Sequence, residues 1–292
     1  MAIAVFVGLS TLDIAYSVAR YPDEDTKTQA HDQFLGAGGP AANAAVTFAA
    51  LSGRTPALVT ALGEHQLAHV IRHDLDEHGV APLDATPGER HRPPVSSIIV
   101  ATEAGTRTIV SLDGSAISAP FDPTHVRPLN DAAIVLVDGH YPELAFGFAT
   151  AARARGIPVV LDGGRWKDSH AGLLPLIDIA ICSAAFAPPG VAGGADGLFD
   201  HLHAQGVRHA AITYGGKPIR YSTPDERGEI AVAGADMVAV DTLGAGDIMH
   251  GAFCHYHVAG QSFPQALRSA AGIATLACCH LGTRAWIADL PR

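Results

Sequence analysis

The stretch "DTLGAGDIMHGAF", residues 241–253, decides how the fold and the chemistry of this chain are interpreted. Gly244 and Gly246 leave the backbone without bulky side chains, so its N–H groups can approach an anion closely. A helical pattern begins at Asp247, and the N-terminus of a helix has unpaired N–H groups and a positive partial charge. The stretch therefore predicts a pocket for a negatively charged group, with the Asp247 carboxylate beside it.

The Asp247 carboxylate has two interpretations. Aspartate often caps helices, but a cap explains neither the preceding Gly-Ala-Gly nor Asp241. A carboxylate beside an anion pocket is unfavourable unless it has a task, such as taking a proton from a hydroxyl while backbone amides stabilise the transferring group. This arrangement is typical of phosphoryl transfer to an alcohol. The stretch matches neither a Walker A loop, since no GKS or GKT occurs, nor the dinucleotide GxGxxG pattern.

Composition limits the class of protein. The 292 residues are 48% hydrophobic and 16% charged, which suits a large core and excludes intrinsic disorder. The net charge of −10 repels phosphate backbones, so we expect no nucleic-acid surface. No apolar stretch approaches the roughly 20 residues that span a membrane, and "MAIAVFVGLS" is interpreted as a buried strand and not a signal peptide. Four cysteines without a CxxC pair indicate core residues in a reducing, cytoplasmic environment.

Short apolar runs alternate with helical patterns along the chain. The runs are almost wholly apolar, as expected of strands that are buried on both faces. Their alternation with helices predicts an α/β fold with a doubly wound, mostly parallel sheet flanked by helices. The predicted strands span 3–9, 56–62, 133–138, 157–162, 178–183 and 209–215, and the predicted helices span 39–52, 65–78, 143–155 and 195–205.

Two segments, 26–36 and 95–114, alternate apolar with polar residues and break this pattern. Half-polar strands do not belong in a parallel core, so we expect a small antiparallel β lid over one edge of the main sheet. The second segment contains "EAG" between two alternating runs, which predicts a hairpin. No linker separates the lid, so residues 1–292 are expected to form one domain with the lid inserted around 12–36 and 90–114.

Two separated motifs give the chain a family resemblance. The first is "GAGGPAANAAVTFAALSG" at 36–53, with a Gly-Gly pair and an asparagine four residues after the second glycine; the second is "DTLGAGD" at 241–247. Together they resemble the two signatures of the ribokinase family, the pfkB-type carbohydrate kinases. Their order, their spacing and the total length fit along the whole chain. The resemblance implies a ribokinase-like fold and an ATP-dependent kinase.

The resemblance implies roles for the second motif. Asp247 resembles the catalytic base for the acceptor hydroxyl. Gly244, Ala245 and Gly246 resemble the anion hole for the γ-phosphate. Asp241 resembles the family aspartate that helps to bind a monovalent cation, usually K⁺; the alternative is a turn-forming aspartate that accepts local amides.

The first motif and the first strand imply a sugar site. Asp13, just past the first strand, resembles the family aspartate that hydrogen-bonds sugar hydroxyls, and the carboxyl edge of an open α/β sheet is where ligands bind. Gly38 and Gly39 open a helix whose amides can contact the sugar. Asn43 lies one turn inside that helix. It is either satisfied within the helix or, since its apolar neighbours predict a buried face, paired with a polyol substrate.

Two further segments resemble the nucleotide site of the family. "TYGGKPIRYS" at 213–222 resembles its Thr-x-Gly loop, so Thr213, Gly215 and Gly216 are expected near the ATP phosphates or ribose. The alternative is a plain hairpin turn at the Gly-Gly pair. The C-terminal "ACCHLGTRAWIADLP" resembles the lining of the adenine pocket, and only Gly282 is assigned to it.

The sequence departs from the family at the magnesium motif. Many members have Asn-x-x-Glu after the strand that corresponds to 178–182, whereas this chain has Ser183, Ala184, Ala185 and Phe186. Mg²⁺ is still expected with ATP because a metal neutralises phosphate charge. The chain offers no acidic residue at that spacing to hold it.

Loops after two central strands offer candidates for the far end of the substrate. Asp138 in "VDGHYPE" and Arg165 in "LDGGRWKD" are assigned there. Arg165 beside Trp166 could clamp a carboxylate, sulfonate or phosphate, whereas ordinary solvated charge is the interpretation favoured for Lys167. Other cationic candidates are His140 in the first loop and, in the lid, Lys27, Arg90, Arg92 and Arg107.

Histidines recur at helical spacing in two places, but neither set predicts a metal site. His65, His69 and His73 lie on an amphipathic pattern that predicts a solvated helix face. His250 and His257 recur with Cys254 at helical spacing, and a structural role is predicted for this second set.

The leading hypothesis is an ATP-dependent kinase that phosphorylates a hydroxyl, expected to be primary, of a small sugar or sugar acid. A nucleoside kinase would need lid aromatics to stack a base, and the lid offers Phe34 and few others. A sugar-binding regulator that has lost catalysis is favoured by the missing Asn-x-x-Glu and opposed by the intact GAGD. The unpaired edge strands of the lid also favour a homodimer.

Overall fold

Two β-sheets organise residues 3–112, 114–234 and 239–290, the part of the chain that the computed structural model describes. In chain order the strands are β1 (Ile3–Val7), β2 (Thr11–Val18), β3 (Asp32–Gly38), β4 (Ala57–Thr60), β5 (Ala81–Asp84), β6 (Val95–Ala101), β7 (Thr106–Leu112), β8 (Ala132–Val137), β9 (Val159–Gly163), β10 (Ile179–Ser183), β11 (His209–Tyr214), β12 (Lys217–Ser222) and β13 (Arg227–Ile230). The larger sheet has the order β13-β12-β11-β10-β9-β8-β1-β4-β5. It is parallel from β5 to β11, and β12 and β13 add antiparallel strands at one edge.

Helices cover both faces of the larger sheet. They are α1 (Pro40–Ser52), α2 (Gln66–Glu77), α3 (Pro142–Arg153), α4 (His170–Leu173), α5 (Gly194–Ala204), α6 (Ala245–Val258) and α7 (Phe263–Ala277). One core joins Phe6 and Leu136 of the sheet to α1, α2, α6 and α7, and the other joins Val5 and Val137 to α3, α4 and α5. Because successive strand residues point to opposite faces, the apolar runs supply both cores, and the predicted doubly wound fold is confirmed. None of the described helices combines the length and the apolar character needed to cross a membrane.

The elements predicted from apolar runs are present, and the strands that were missed lie at the edges of the larger sheet. All six predicted strands and all four predicted helices occur, with their ends displaced by at most two residues. The patterns in the sequence did not predict β5, β12, β13, α4 or α7. The three strands lie at the two edges of the sheet, where exposed residues interrupt the apolar signal.

The smaller sheet has the strand order β3-β2-β6-β7 and corresponds to the predicted lid. The β2–β3 and β6–β7 pairs are antiparallel, whereas the central β2–β6 pair is parallel. The predicted "EAG" hairpin is present: β6 and β7 are joined across it, and Gly105 has φ 61°. Leu243, just before α6, packs with Ala15, Ile98 and Val100 of the lid. The lid therefore shares a small core with the loop that opens α6.

The lid differs from its prediction in two segments. Residues 26–31 do not form a strand, and β3 begins only at Asp32. All residues of β7 are exposed, although their alternation predicted one buried face. β7 forms one edge of the sheet, and side chains at such an edge need not be covered from either face.

Helices α1 and α6 cross at a point where a side chain would not fit. A methyl group on Gly251 of α6 would lie 2.2 Å from the backbone oxygen of Ala44 in α1, well inside van der Waals contact. The two backbones can approach this closely only because the residue at 251 is glycine. The crossing fixes the distance between the N-termini of the two helices.

We expect Gly251→Ala to force the two helices apart and to lower the free energy of unfolding by about 1–3 kcal/mol, the usual cost of overpacking. Gly272→Ala on α7 is the matched control, since its methyl group would have no neighbour within 4 Å and alanine favours a helix by up to about 1 kcal/mol. Urea denaturation of both variants measures the difference. Equal stability of the two variants would contradict the close-packing argument.

Candidate active site

The two glycine-containing motifs meet at the carboxyl edge of the parallel strands. Helices α1 and α6 begin at this edge, and strands β1, β8 and β9 end at it. The contact between the motifs is direct: Asn43 Nδ2 donates to Asp247 Oδ2 at 2.8 Å. Open α/β sheets bind ligands at this edge, so the fold places the predicted catalytic residues where a ligand can reach them.

The N-terminus of α6 has unpaired N–H groups and an open approach. Gly244 caps the helix in the left-handed conformation, with φ 65°, and its oxygen accepts the first helical bond from Ile248. Within the described residues, the N–H groups of Gly244, Gly246 and Asp247 have no hydrogen-bond partner. A methyl group on Gly246 would meet nothing within 4 Å. The loop therefore presents free donors to open space at the positive end of a helix of 14 residues.

Asp247 is a half-buried residue beside these donors. Burial, the nearby Asp162 carboxylate and, to a smaller extent, Asp13 together raise the pKa of the Asp247 carboxyl to about 7. The Asn43 N–H and His250 act in the opposite direction. A carboxylate whose pKa lies near neutrality can accept a proton and release it again, as a general base must.

Asp162 and His250 form a buried pair behind Asp247. His250 Nδ1 lies 3.4 Å from Asp162 Oδ2, 2.7 Å from the Gly246 oxygen, and its Nε2 lies 3.0 Å from the Ile181 oxygen. Burial raises the pKa of the Asp162 carboxyl, and His250 opposes that rise. The Oδ2 atom of Asp162 has no hydrogen-bond partner among the described residues. This pair places a second carboxyl group close to the candidate base.

Asp13 lies at the junction between the lid and α1. Its Oδ1 accepts a 2.6 Å hydrogen bond from the Thr11 hydroxyl, and burial raises the pKa of its carboxyl. A methyl group on Gly38 would lie 1.9 Å from Asp13 Oδ2, so only glycine permits this packing. The next residue, Gly39, has φ 93°, a conformation that favours glycine, and the helix begins after it. The predicted sugar residues Asp13, Gly38 and Gly39 are therefore neighbours.

Arg284 is part of this site, although the sequence analysis did not identify it. Its guanidinium donates to Asn43 Oδ1 at 3.0 Å, to Asp74 Oδ2 at 3.0 Å and to the Ala37 oxygen at 2.6 Å. It also donates to Thr283 Oγ1 at 2.8 Å. Only 9% of the Arg284 side chain is exposed. The result is a continuous chain of hydrogen bonds from Asp74 through Arg284 and Asn43 to Asp247.

Asp241 joins the loop before α6 to the C-terminal turn. Its Oδ1 accepts from the Leu243 N–H at 2.8 Å, and its Oδ2 accepts from the Gly282 N–H at 3.0 Å. Gly282 has φ 70°, and a methyl group there would lie 2.6 Å from the Phe34 ring. Asp241 thus has the local amide contact that the alternative interpretation predicted, together with a contact to a distant turn.

Asp138 ties three backbone segments together. Its Oδ2 accepts from the N–H groups of Leu9 and Ala41, at 2.8 and 3.3 Å, and its Oδ1 accepts from His140 at 2.9 Å. The side chain is almost fully buried. Its predicted contact with substrate remains a prediction, and the structure adds a role in holding the start of α1 against the ends of β1 and β8.

The cationic candidates are mostly exposed. Arg165 is exposed and makes no hydrogen bond within the described residues. Lys167 Nζ donates to the backbone oxygen of Asp138 at 3.3 Å. Lys27, Arg90 and Arg92 are also exposed. Arg107 of β7 donates to the Thr242 hydroxyl, so one lid cation contacts the loop that opens α6.

The nucleotide candidates lie at the end of β11 and in the turn that follows it. Thr213 Oγ1 donates to the Cys182 oxygen at 3.4 Å, and Gly215 and Gly216 form the exposed turn before β12. This hairpin turn is what the alternative interpretation predicted. No described hydrogen bond links these residues to the chain of contacts through Asn43, and their role stays a prediction.

Phe186 occupies the position of the family's magnesium glutamate and is buried. Its ring packs against Trp166 and His170, with ring centroids 5.3 and 5.2 Å away. Ser183, at the asparagine position, donates to the Gly164 oxygen at 2.6 Å. The missing acidic residue is therefore replaced by an aromatic cluster.

Three comparisons cover nearly the whole chain. A family model described as pfkB family carbohydrate kinase matches residues 1–289. The chain is 28% identical to a ribokinase from Arabidopsis thaliana, and the alignment covers 93% of this chain and 75% of the relative. It is 24% identical to a deoxyribokinase from Salmonella typhi, and that alignment covers 97% of this chain and 94% of the relative. The solved structure of A. thaliana ribokinase complexed with ribose and ATP is 26% identical, with a TM-score of 0.79 that covers 100% of this chain and 96% of the other. The similarity includes both sheets, so it extends to the lid.

We expect Asp241→Asn to destabilise the fold by about 1–3 kcal/mol, because the side-chain NH₂ must then face one of the two N–H groups that Asp241 now accepts. Urea denaturation in K⁺-free buffer measures the loss, and the same measurement is repeated with K⁺. Asp32→Asn is the control, since that exposed side chain accepts one N–H, from Gln33, and asparagine can keep it. A loss that appears only when K⁺ is present would show that Asp241 acts through a cation and not through these two bonds.

Proposed function

The chain belongs to the pfkB family of carbohydrate kinases, and from this premise we propose that it transfers the γ-phosphoryl group of ATP to a hydroxyl, expected to be primary, of a small sugar or sugar acid. The observation that supports this best is the pairing of Asp247 with Asn43 beside the unpaired N–H groups of Gly244, Gly246 and Asp247. The unpaired N–H groups and a carboxyl group with a pKa near 7 lie within the first turn of α6. This is what phosphoryl transfer to an alcohol requires.

In the proposed mechanism, the ionised Asp247 carboxylate accepts the proton of the sugar hydroxyl as that oxygen attacks the γ-phosphorus. The bond between the γ-phosphorus and the β–γ bridging oxygen breaks, and ADP leaves with that oxygen. The N–H groups of Gly244, Ala245 and Gly246 stabilise the charge on the transferring group, and Gly244 and Gly246 are unpaired in the described structure. Asp13 accepts hydrogen bonds from the hydroxyl groups of the sugar on the lid side of the site. Asn43 donates a hydrogen bond to Asp247 and thereby keeps its carboxylate ionised.

The nucleotide side of the site is less specified. Thr213, Gly215, Gly216 and Gly282 are proposed to contact ATP on the resemblance alone. Mg²⁺ is proposed to enter with ATP, and the residues at 183–186 do not fit a protein-held metal because they offer no carboxylate. A monovalent cation, if bound, would use the second lone pairs of the Asp241 oxygens, adding positive charge beside the phosphate site.

Two other functions were predicted as alternatives. A nucleoside kinase needs an aromatic face that is free to stack on a base, but Phe34 packs onto Gly282 and Leu281. A sugar-binding regulator without catalysis would not need Asp247 beside an anion site. Both observations favour the sugar kinase.

The lid also supports the predicted homodimer. β7 forms an edge of the lid sheet and exposes Ile109, Val110 and Leu112. An exposed apolar edge strand favours pairing with a second copy. We keep the homodimer as a proposal that is separate from the catalytic one.

The substrate class can be tested by measuring ATP consumption with a panel of sugars, sugar acids and nucleosides. We expect turnover with at least one sugar or sugar acid and none with nucleosides. Asp247→Asn is expected to lower turnover by about 10²–10⁴-fold, because the general base is lost, while calorimetry shows nearly unchanged binding of sugar and ATP. Near-normal turnover by this variant would refute the assignment of the base, and turnover with nucleosides alone would favour the second candidate.

The pKa of Asp247 near 7 predicts a pH dependence of both activity and stability. Turnover should fall as the pH drops below about 7, because the base becomes protonated. The folded-state pKa lies above the ordinary aspartate value, so the stability due to this group is fully present below pH 4 and is lost as the pH rises towards 7. Asp247→Asn should therefore be more stable than the wild type at pH 8, and the difference should vanish at pH 3.

Thermal unfolding at pH 3, 5 and 8 measures this effect. Asp122→Asn is an opposite-sign control, since the Thr124 N–H lowers the pKa of the Asp122 carboxyl, whose stabilisation is present at high pH and lost on acidification. A constant difference between Asp247→Asn and the wild type from pH 3 to 8 would contradict the raised pKa.

A further inference from the structure

Arg284 has more hydrogen-bond contacts than a surface arginine and lies almost entirely inside the protein. Its Nη1 donates to Asn43 Oδ1 and Thr283 Oγ1, and its Nη2 donates to Asp74 Oδ2 and the Ala37 oxygen. Its Nε also donates to Asp74 Oδ2, at 3.3 Å. An arginine that is ordered on every side has a fixed direction for each of its N–H groups.

The far side of the guanidinium is anchored to the lid strand. Asp74 of α2 pairs with Arg284 and also accepts the Ala37 N–H at 3.1 Å. Arg284 in turn donates to the Ala37 oxygen. Both backbone groups of Ala37, the residue before Gly38, are thus held by the ion pair. The guanidinium is therefore fixed independently of Asn43.

The near side of the guanidinium determines which way the Asn43 amide faces. Arginine has only donors, so it must face the Asn43 oxygen and not its NH₂ group. Once the oxygen faces Arg284, the NH₂ group must face Asp247, as it does at 2.8 Å. Without the guanidinium, the amide is free to turn over and present its oxygen to the carboxyl group. That orientation suits a protonated carboxyl and opposes an ionised one.

We propose that Arg284 is a positioning residue for the phosphoryl transfer: it fixes the orientation of the Asn43 amide so that the amide NH₂ group keeps Asp247 ionised. The inference rests on the proposed role of Asp247 as the base. It assigns a task to a residue that neither of the two glycine motifs contains.

The electrostatic surroundings explain why a fixed donor is needed at Asp247. The charged or titratable groups that face its carboxyl group are Asp162 from β9, Asp13 from β2 and His250 from α6 itself. Two of the three are carboxylates, and the site is desolvated. The Asn43 NH₂ group is a neutral donor that opposes this, so its orientation decides how far the Asp247 pKa rises.

The test is a direct titration of Asp247 by ¹³C NMR in protein labelled at the aspartate carboxyl carbons. The resonance is assigned by its loss in Asp247→Asn. In Arg284→Met, which removes all donors at similar length, we expect the titration midpoint to move up by about one pH unit, the effect of losing one charge-assisted hydrogen bond. In Arg284→Lys, which keeps a charge for Asp74 but not the planar fork, we expect a smaller upward shift.

The activity of the same variants gives a second readout, with the substrate found in the panel. We expect turnover at pH 6 to fall about tenfold more than turnover at pH 9 in Arg284→Met, as follows from a one-unit shift. The KM for ATP should change little. Arg72→Met is the matched control: Arg72 of α2 is likewise an arginine paired with an aspartate, donates to Asp84 at 2.6 Å and makes no hydrogen bond to Asn43. It should lower the melting temperature without moving the midpoint.

A double-mutant cycle separates positioning from general destabilisation. In an Asn43→Ala background the amide is absent, so adding Arg284→Met should leave the Asp247 midpoint where Asn43→Ala alone puts it. An equal shift in both backgrounds, or a wild-type midpoint in folded Arg284→Met and Arg284→Lys, overturns the inference. Those results would leave the proposed function intact. High activity of Asp247→Asn would instead overturn the proposed function, whatever the midpoints are.

Discussion

The hydrogen bond between Asn43 and Asp247 connects the two halves of the site, and the geometry around it follows from one steric constraint. The two residues lie in the first turns of α1 and α6, whose backbones must approach closely. Gly251 permits that approach by packing directly on Ala44. A side chain at 251 would lengthen the distance between the helix starts, and the donor would then no longer reach the carboxylate. Packing in the helix interior therefore determines chemistry at the helix ends.

The site is rich in carboxylates for a protein that is proposed to bind a triphosphate. Asp13, Asp138, Asp162 and Asp247 all lie near the carboxyl edge of the sheet, in a chain with a net charge of −10. The surroundings of these carboxyl groups differ. Asp138 is fully engaged by backbone N–H groups, and burial raises the pKa of the other three. The positive potential for phosphate must then come from backbone N–H groups at the start of α6, which explains why glycines are used there.

The residues that the sequence identified are those whose signal is local. Asp247 was found because Gly-Ala-Gly precedes it, and Asn43 because a Gly-Gly pair precedes it. Arg284, Asp74 and Asp162 were missed, although they complete the same network. Arg284 meets Asp74 across 210 residues and Asn43 across 241, and no local pattern specifies such contacts. The visible hint was that Arg284 is the one charged residue in the stretch "LGTRAWIA" at 281–288.

The same limit applied to the strands and the magnesium motif. Central strands were predicted because both faces are buried, whereas edge strands such as β12 and β13 have exposed residues and lack that signal. The absence of Asn-x-x-Glu was visible in the sequence, but the reason was not. The Phe186 ring packs against Trp166 and His170, so position 186 is part of a core. A carboxylate there could bind a metal only if this aromatic cluster were disrupted.

The lid and the loop that opens α6 are joined by direct contacts in this structure. Leu243 packs into the lid core one residue before Gly244, and Arg107 of the lid contacts Thr242 in the same loop. On the other side, Ala37 of the lid is held by Arg284, which contacts Asn43. A sugar bound beneath the lid would therefore press on both partners of the hydrogen bond that orients the base. Under the proposed function, closing the lid on the sugar and completing the site that receives the phosphate become the same event, which opposes the transfer of phosphate to water when no sugar is bound.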